Sequence, residues 1–426
     1  MIKNLKKRYY ISRLVALECL VCTAVTITSN MPVNAFTQNN LFKLKNSITY
    51  SNEQKSKILI DDKIKSYKDL DKAQKIAGFK FKLPDYIVDN YDGMKGAIVQ
   101  KIADNENAVK VYFYNNNDSL DSWNYSMIIS KGDIGKAVME IEKYNTRGVS
   151  VDISLNKEDA SIKGISGQIV TLTTNYPEKI EGEDKISVAK EVCKYFVWNE
   201  DGVNYSINYN SIFTSENSTY TSSNISEDNI FNIARSLKDT DKITNENYGK
   251  RQGLSTEVPI MMIYDEEDLE NAKDIIGFNP KFPVNIKDDI EISQSCVNLT
   301  SDSDIENNKL DYDVWIRYER NNDFITLTSS KKNKEYNEIK EKGYYNIEHY
   351  DMEKEEFLTL KVDAEKLNLG NKEVYKSREE DNDNNLIQYI YFWEENGVDY
   401  ELIFFNEKDE NVDSIAQIFI NSQEYR

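Results

Sequence analysis

The chain has 426 residues, 30% of them charged, with 53 Lys and Arg against 73 Asp and Glu and a formal net charge of −20. That acidity argues against DNA, RNA and anionic lipid headgroups as partners, because phosphate surfaces are held by clustered Lys and Arg. One histidine and four cysteines leave little material for a zinc centre or a histidine-based catalytic site.

Residues 1–35 read as a signal peptide. Lys3, Lys6, Lys7, Arg8 and Arg13 form a basic start, residues 14–27 an apolar stretch, and Val33, Asn34 and Ala35 a small-residue cleavage site. The apolar stretch is too short to cross about 30 Å of hydrocarbon, and Glu18 inside it opposes permanent insertion. An uncleaved N-terminal anchor is the alternative. Cys19 and Cys22 lack the small preceding residue of a lipidated cysteine. Cleavage removes five cations and one anion, taking the net charge from −20 to −24. The product is expected to be secreted or associated with the cell envelope, soluble, and without stable membrane insertion. Residues 36–65 read as a polar N-terminal extension.

From residue 66 the chain repeats itself. Leu70, Ala73, Ile76, Gly78, Phe79 and Pro84 recur 199 positions on as Leu269, Ala272, Ile275, Gly277, Phe278 and Pro283. Trp198, Gly202 and Tyr205 recur 195 positions on as Trp393, Gly397 and Tyr400. Matched blocks in fixed order mean two copies of one domain. They are expected over residues 66–237 and 259–426, with 238–258 as a linker carrying Gly249 and Gly253.

Each copy opens on a predicted helix. Ser66 and Asp265 are set as N-caps, with Asp69 and Asp268 three residues on. Leu70, Ala73 and Ile76, like Leu269, Ala272 and Ile275, make one apolar face. Gly78 and Gly277 supply the left-handed residue that ends each helix. Phe79 and Phe278 should anchor the turn in the core, and Pro84 and Pro283 prevent continuation.

Strands follow at 109–114 and 125–129, and in the second copy at 314–318 and 324–327. Later strands are predicted over 148–155, 168–174, 192–198 and 203–209, and over 386–393 and 398–405. Asp201-Gly202 and Asn396-Gly397 mark two-residue hairpin turns. Trp198 and Trp393 on the flanking strands are expected in the core. A closing helix ends each copy. Ser226 caps Ile230, Ile233, Ala234 and Leu237; Asn411 caps Ile415, Ile418 and Phe419. The fold class is therefore α+β, with two similar domains, each a curved antiparallel sheet with an opening and a closing helix packed on it.

The Leu-x-x-Ala-x-x-Ile-x-Gly-Phe run to Pro84 or Pro283, the Trp-x-x-x-Gly-Val-x-Tyr hairpin and the closing helix at Ile230 resemble the domain of unknown function 4367 family. That family comprises extracytoplasmic domains of Gram-positive bacteria with no assigned activity. The resemblance spans nearly the whole mature chain in two copies and implies sensing or binding outside the membrane. A remoter resemblance, to lipoprotein-carrier and envelope-stress-sensor folds, implies a curved sheet wrapped round a helix.

Catalytic constellations are weak. His349 lies in the alternating run from Tyr344 to Tyr350, with no sequence context pairing it to Cys193 or a serine. Residues 381–385 start like an EF-hand loop, but Leu386 and Phe392 stand where Gly and the bidentate Glu belong. The acidic run at Asp302, Asp304 and Glu306 reads as a solvated turn. Gly249-Lys250-Arg251-Gln252-Gly253 lacks the residues of a phosphate loop. Cys193 and Cys296 sit at non-equivalent repeat positions, and their pairing is open. No cofactor, metal or catalytic residue is assigned. The expectation is a non-enzymatic tandem-domain protein that binds an envelope ligand or partner protein. The alternative is a secreted hydrolase with an unmarked carboxylate pair, favoured if a cleft holds two carboxyls about 5–10 Å apart beside exposed aromatics.

Overall fold

The computed structural model describes residues 57–425 except 116–123, 148, 180–185, 216–217, 251–258, 285, 288, 306, 321–322, 352–355, 381–386 and 406–411. The leader, most of the polar extension, the EF-hand-like run and Asn411 lie outside the described residues. The protein mixes helices with antiparallel sheets, and its described residues divide into two compact units, one from 63 to 250 and the other from 259 onward together with 57–62.

The first unit contains β1 (Ile64–Tyr67), α1 (Leu70–Ala77), β2 (Lys82–Pro84), β3 (Tyr91–Gly93), β4 (Ala97–Ala103), β5 (Glu106–Asn115), β6 (Tyr125–Ser130) and α2 (Ile134–Asn145). It continues with β7 (Asp152–Ile162), β8 (Ile165–Lys179), β9 (Ile186–Glu200), β10 (Val203–Thr214), β11 (Thr219–Asn224), α3 (Glu227–Arg235) and β12 (Leu237–Asp239). The main sheet runs β1-β4-β5-β6-β10-β9-β8-β7, with β11 on β10 and β3 on β5.

The second unit contains β13 (Met261–Met262), α4 (Glu266–Ile276), β14 (Glu291–Leu299), β15 (Tyr312–Arg320), β16 (Asp323–Ser330), α5 (Lys334–Lys342) and β17 (Tyr344–Asp351). After them come β18 (Glu356–Leu369), β19 (Lys372–Glu380), β20 (Ile387–Glu395), β21 (Val398–Phe405) and α6 (Val412–Asn421). Its sheet runs β13-β14-β15-β16-β21-β20-β19-β18-β17.

Each unit also has a middle helix, α2 or α5, that the sequence reading did not include. Side chains alternate across a strand, so a sheet with apolar residues on both faces needs covering on both. In the second unit Val314, Ile316, Tyr318, Tyr391, Trp393, Leu402 and Phe404 pack with Leu269 and Ala272 of α4 and Ile415 and Phe419 of α6. Their strand neighbours Ile390, Phe392 and Ile403 pack instead with Tyr336 and Ile339 of α5. In the first unit Ala137, Val138 and Ile141 of α2 cover Ala108, Ile128, Val170, Leu172 and Tyr195. Asp133 and Asn333 cap these middle helices, accepting from the amides of Lys136 and Tyr336.

Two local expectations are corrected. The cap of α1 is Asp69, whose Oδ1 accepts from the amides of Asp71 and Lys72, while Ser66 lies in β1 opposite Ile98. A strand pairing with β4 satisfies the Ser66 backbone, so the helix starts three residues later. Asp265 does cap α4, and Asp268 returns a bond from the Tyr264 amide at 3.0 Å. Phe79 is buried but Phe278 only half-buried; Phe282 takes the core position.

Residues 238–250, expected in the linker, are instead built into the first unit. The Asp85 carboxylate accepts from Lys238 Nζ at 2.6 Å, from the Thr244 amide at 2.6 Å and hydroxyl at 3.0 Å, and from the Asn245 amide at 3.0 Å. Tyr248 donates to the Pro84 carbonyl, and the Gly249 amide to that of Gly93. One half-buried acceptor satisfies several loop donors, which fixes a segment that has no hydrophobic periodicity. At the other end, the part of the extension at Leu59 and Ile60 is held by the Tyr264 carbonyl of the second unit.

Candidate functional site

The repeated residues form a clasp in each unit. Trp198 on β9 faces Tyr205 on β10 across a turn in which Asp201 and Gly202 have φ of 55° and 79°, and Trp393 faces Tyr400 across Asn396 and Gly397 at 55° and 76°. The ring pairs stack at 5.9 Å and 5.0 Å. Gly78 and Gly277 end α1 and α4 with φ of 80° and 72°. Leu269 is buried and Leu70 half-buried; Pro84 is buried and Pro283 half-buried. None of these fourteen positions lines the cleft described next.

That cleft, about 480 Å³, lies on the α2 face of the first unit. It is built by register. Thr174, Glu191, Phe213 and Tyr220 stand opposite one another in a row across β8, β9, β10 and β11. Leu172, Cys193 and Ser211 form the next row, and Val170, Tyr195 and Asn208 the one after. The last turn of α2 brings Glu142 over these rows.

Tyr176 joins the two carboxylates. Its hydroxyl lies 3.2 Å from Glu142 Oε1 and 3.2 Å from Glu191 Oε2, and it has one proton to donate. Glu142 also accepts from Thr174 Oγ1 at 2.9 Å, whereas the other oxygen of Glu191 has the Cys193 thiol at 3.7 Å, a weak donor. Burial, reinforced by the charge of Glu142, pushes the Glu191 carboxyl above its ordinary value. Burial, then the charge of Glu191, pushes the Cys193 thiol up to about 12. A thiol held neutral is a poor nucleophile. The Ser211 hydroxyl, with one proton to donate, lies 3.3 Å from Cys193 Sγ and 2.9 Å from Asn208 Oδ1.

An aromatic shelf leads out of the cleft. The ring of Tyr176 lies 6.4 Å from that of Phe213, which stacks at 5.0 Å on Tyr220, 44% exposed. Lys110 also lines the cleft, its ammonium 4.5 Å from the centre of the Tyr112 ring.

Cys193 and Cys296 are both free thiols. His349 pairs with Leu358 in the second unit. Asp304 accepts from the Asn307 amide and side chain in a turn. Among the described residues, no three His, Cys, Asp or Glu converge on a metal position, and no helix is long and apolar enough to cross a membrane. The cleft did leave a trace in the sequence. Glu142 interrupts the apolar stripe of α2 four residues after Val138, and Glu191, Cys193 and Tyr195 alternate along one face of β9.

No protein-family model matches the chain, and no curated protein matches it. Among solved structures, the crystal structure of MucB in complex with MucA(peri) aligns over 83% of this chain and 96% of its own, at 8% identity and a TM-score of 0.17. A score at that level establishes neither a shared fold nor a shared function.

Proposed function

We propose that the chain is an exported, non-enzymatic protein of two copies of one α+β domain, binding an envelope ligand or partner protein through the cleft beneath α2. The leader supports export. The paired blocks and the shared strand order, β4-β5-β6-β10-β9-β8-β7 and β14-β15-β16-β21-β20-β19-β18, support duplication. The resemblance to the 4367 family agrees with a binding role. The observation that carries the reading is the cleft itself, with its under-satisfied carboxylate, aromatic shelf and neutral thiol.

The hydrolase reading has one observation in its favour, two carboxylates beside aromatics in a cleft. Glycosidase carboxyls stand on either side of the scissile bond, one to protonate the leaving group and one to attack or activate water. Glu142 and Glu191 instead share one phenol hydroxyl, which occupies the space a scissile bond would need. Binding is therefore the better use of this geometry. The test is capture of envelope and culture-supernatant components on the immobilised chain, wild type against Glu142→Gln/Glu191→Gln. Retention by the wild type and loss in the variant is expected; equal retention by both removes the cleft from the function, and no retention removes the binding reading.

A further inference from the structure

The cleft's electrostatics and its rings point to one ligand class. Among its lining residues stand two carboxylates, Glu142 and Glu191, and one cation, Lys110. Glu142 keeps the Thr174 hydroxyl whichever way the phenol proton points, so Glu191 is the carboxylate that lacks a strong donor when Tyr176 turns to Glu142. A buried carboxylate in that condition is stabilised most by a cation bearing N–H or polarised C–H groups. Beside it Tyr176 lines the cleft, its ring 6.4 Å from that of Phe213, and Tyr220, stacked on Phe213 and 44% exposed, stands at the solvent end of the row. Ring faces attract cations through their quadrupole, and cages of several rings with an acidic partner select organic ammonium groups over neutral ones of the same shape. The Lys110 ammonium over Tyr112 shows the same attraction within the cleft, and its charge also acts on Glu191. A phosphate or carboxylate ligand would meet the opposite field, and an uncharged sugar would leave the carboxylate deficit in place.

We infer that the cleft beneath α2 binds an organic ammonium group, seated between the Glu142–Glu191 pair and the Tyr176–Phe213–Tyr220 shelf. This rests on the cleft being the binding site proposed above and goes further by naming the chemistry. The charge would come from a free small amine or from a lysine side chain of a partner, and the two sources share the same recognition.

The full chain is titrated calorimetrically with choline, with its neutral isostere 3,3-dimethylbutan-1-ol, and with the tripeptide Gly-Lys-Gly. At least one cation should bind about tenfold more tightly than the neutral isostere; which one is tighter identifies the source. Glu142→Gln/Glu191→Gln should abolish that preference, and Tyr220→Ala, at a largely exposed position, should weaken cation binding by about three- to tenfold. Thermal melts of both variants establish that they are folded. Should Glu142→Gln/Glu191→Gln not fold, the Tyr220→Ala comparison decides. Equal affinity for choline and its isostere overturns the ammonium inference and leaves the cleft as a ligand site. Absence of binding by both cations at millimolar concentration also overturns it, while the capture experiment separately decides the wider reading.

Discussion

Lys281 and Glu395 form an ion pair of 2.8 Å in which the lysine side chain has no exposure at all. Its Nζ also donates to the Ile420 carbonyl at 3.0 Å and to that of Ser422, tying the end of α6 to the hairpin turn. Burial pulls the Lys281 ammonium below its ordinary pKa. Burial also opposes the charge of Glu395, but bonds from Lys281 and Lys372 outweigh it and hold that carboxyl low. At the matching positions of the first repeat, Lys82 pairs with Glu200 at 2.7 Å and Asp201 at 2.9 Å, near the surface. Identical chemistry thus sits in two dielectrics. Glu395→Gln should cost about 3–5 kcal/mol, because it strands a buried cation. Glu200→Gln should cost about 0–1 kcal/mol. Urea midpoints of the two variants check this; equal losses would mean that burial does not set the difference.

The two helix-ending glycines should behave alike and the two phenylalanines should not. An added Cβ at Gly78 meets no atom within 4 Å, and at Gly277 it meets the flexible end of Lys331. Alanine at either position therefore costs chiefly the left-handed conformation, about 1–2 kcal/mol. Phe79→Ala should cost about 3–5 kcal/mol, and Phe278→Ala distinctly less because its ring is half-buried. Calorimetric melts of the four single variants give the ranking.

Asp85 holds residues 238–250 through Lys238, Thr244 and Asn245. Asp85→Ala should cost about 2–4 kcal/mol by stranding several donors. Trypsin should spare Lys238 and Lys242 in the wild type and cut there in the variant. The bond from Lys238, together with those from Thr244 and Asn245, lowers the Asp85 pKa to about 2. Its stabilisation is therefore present above the unfolded value near 4 and is lost as pH falls towards 2.

The second unit should respond to pH in the opposite sense. Burial raises Asp313 to about 6, against a bond from Asn298. Burial also raises Glu401 to about 7, against a bond from Asn333 and with the charges of Glu335, Glu379 and Asp313 adding to it. An acid whose folded pKa is raised binds its proton more tightly when folded, so stability falls as pH rises from about 4 to about 7. Each group should contribute on the order of 1–3 kcal/mol across that window. Denaturant midpoints between pH 5 and pH 8 should show the fall, and Asp313→Asn/Glu401→Gln should flatten it. A flat wild-type profile would place both carboxyls in water.

Short-range signals in this chain were sufficient for whatever depends on neighbours along the backbone. Asp201-Gly202 and Asn396-Gly397 dictate tight hairpins because both central residues must take positive φ. Gly78 and Gly277 end helices for the same steric reason, and the spacing of the repeated blocks is visible without any coordinates. The middle helices are equally legible, as at Asp133 before Ile134, Ala137, Val138 and Ile141, although they lie outside the repeated blocks. Other properties belong to the tertiary structure alone. Whether a lysine at the same repeat position is half-exposed, as Lys82 is, or wholly enclosed, as Lys281 is, depends on what packs over it from more than a hundred residues away. Residues 238–250 look like a linker until Asp85 collects their donors. Glu142 and Glu191 become a pair only because strand register and the last turn of α2 deliver both to one tyrosine hydroxyl. Dielectric, burial and convergence are set by residues distant in sequence, and no local pattern encodes them.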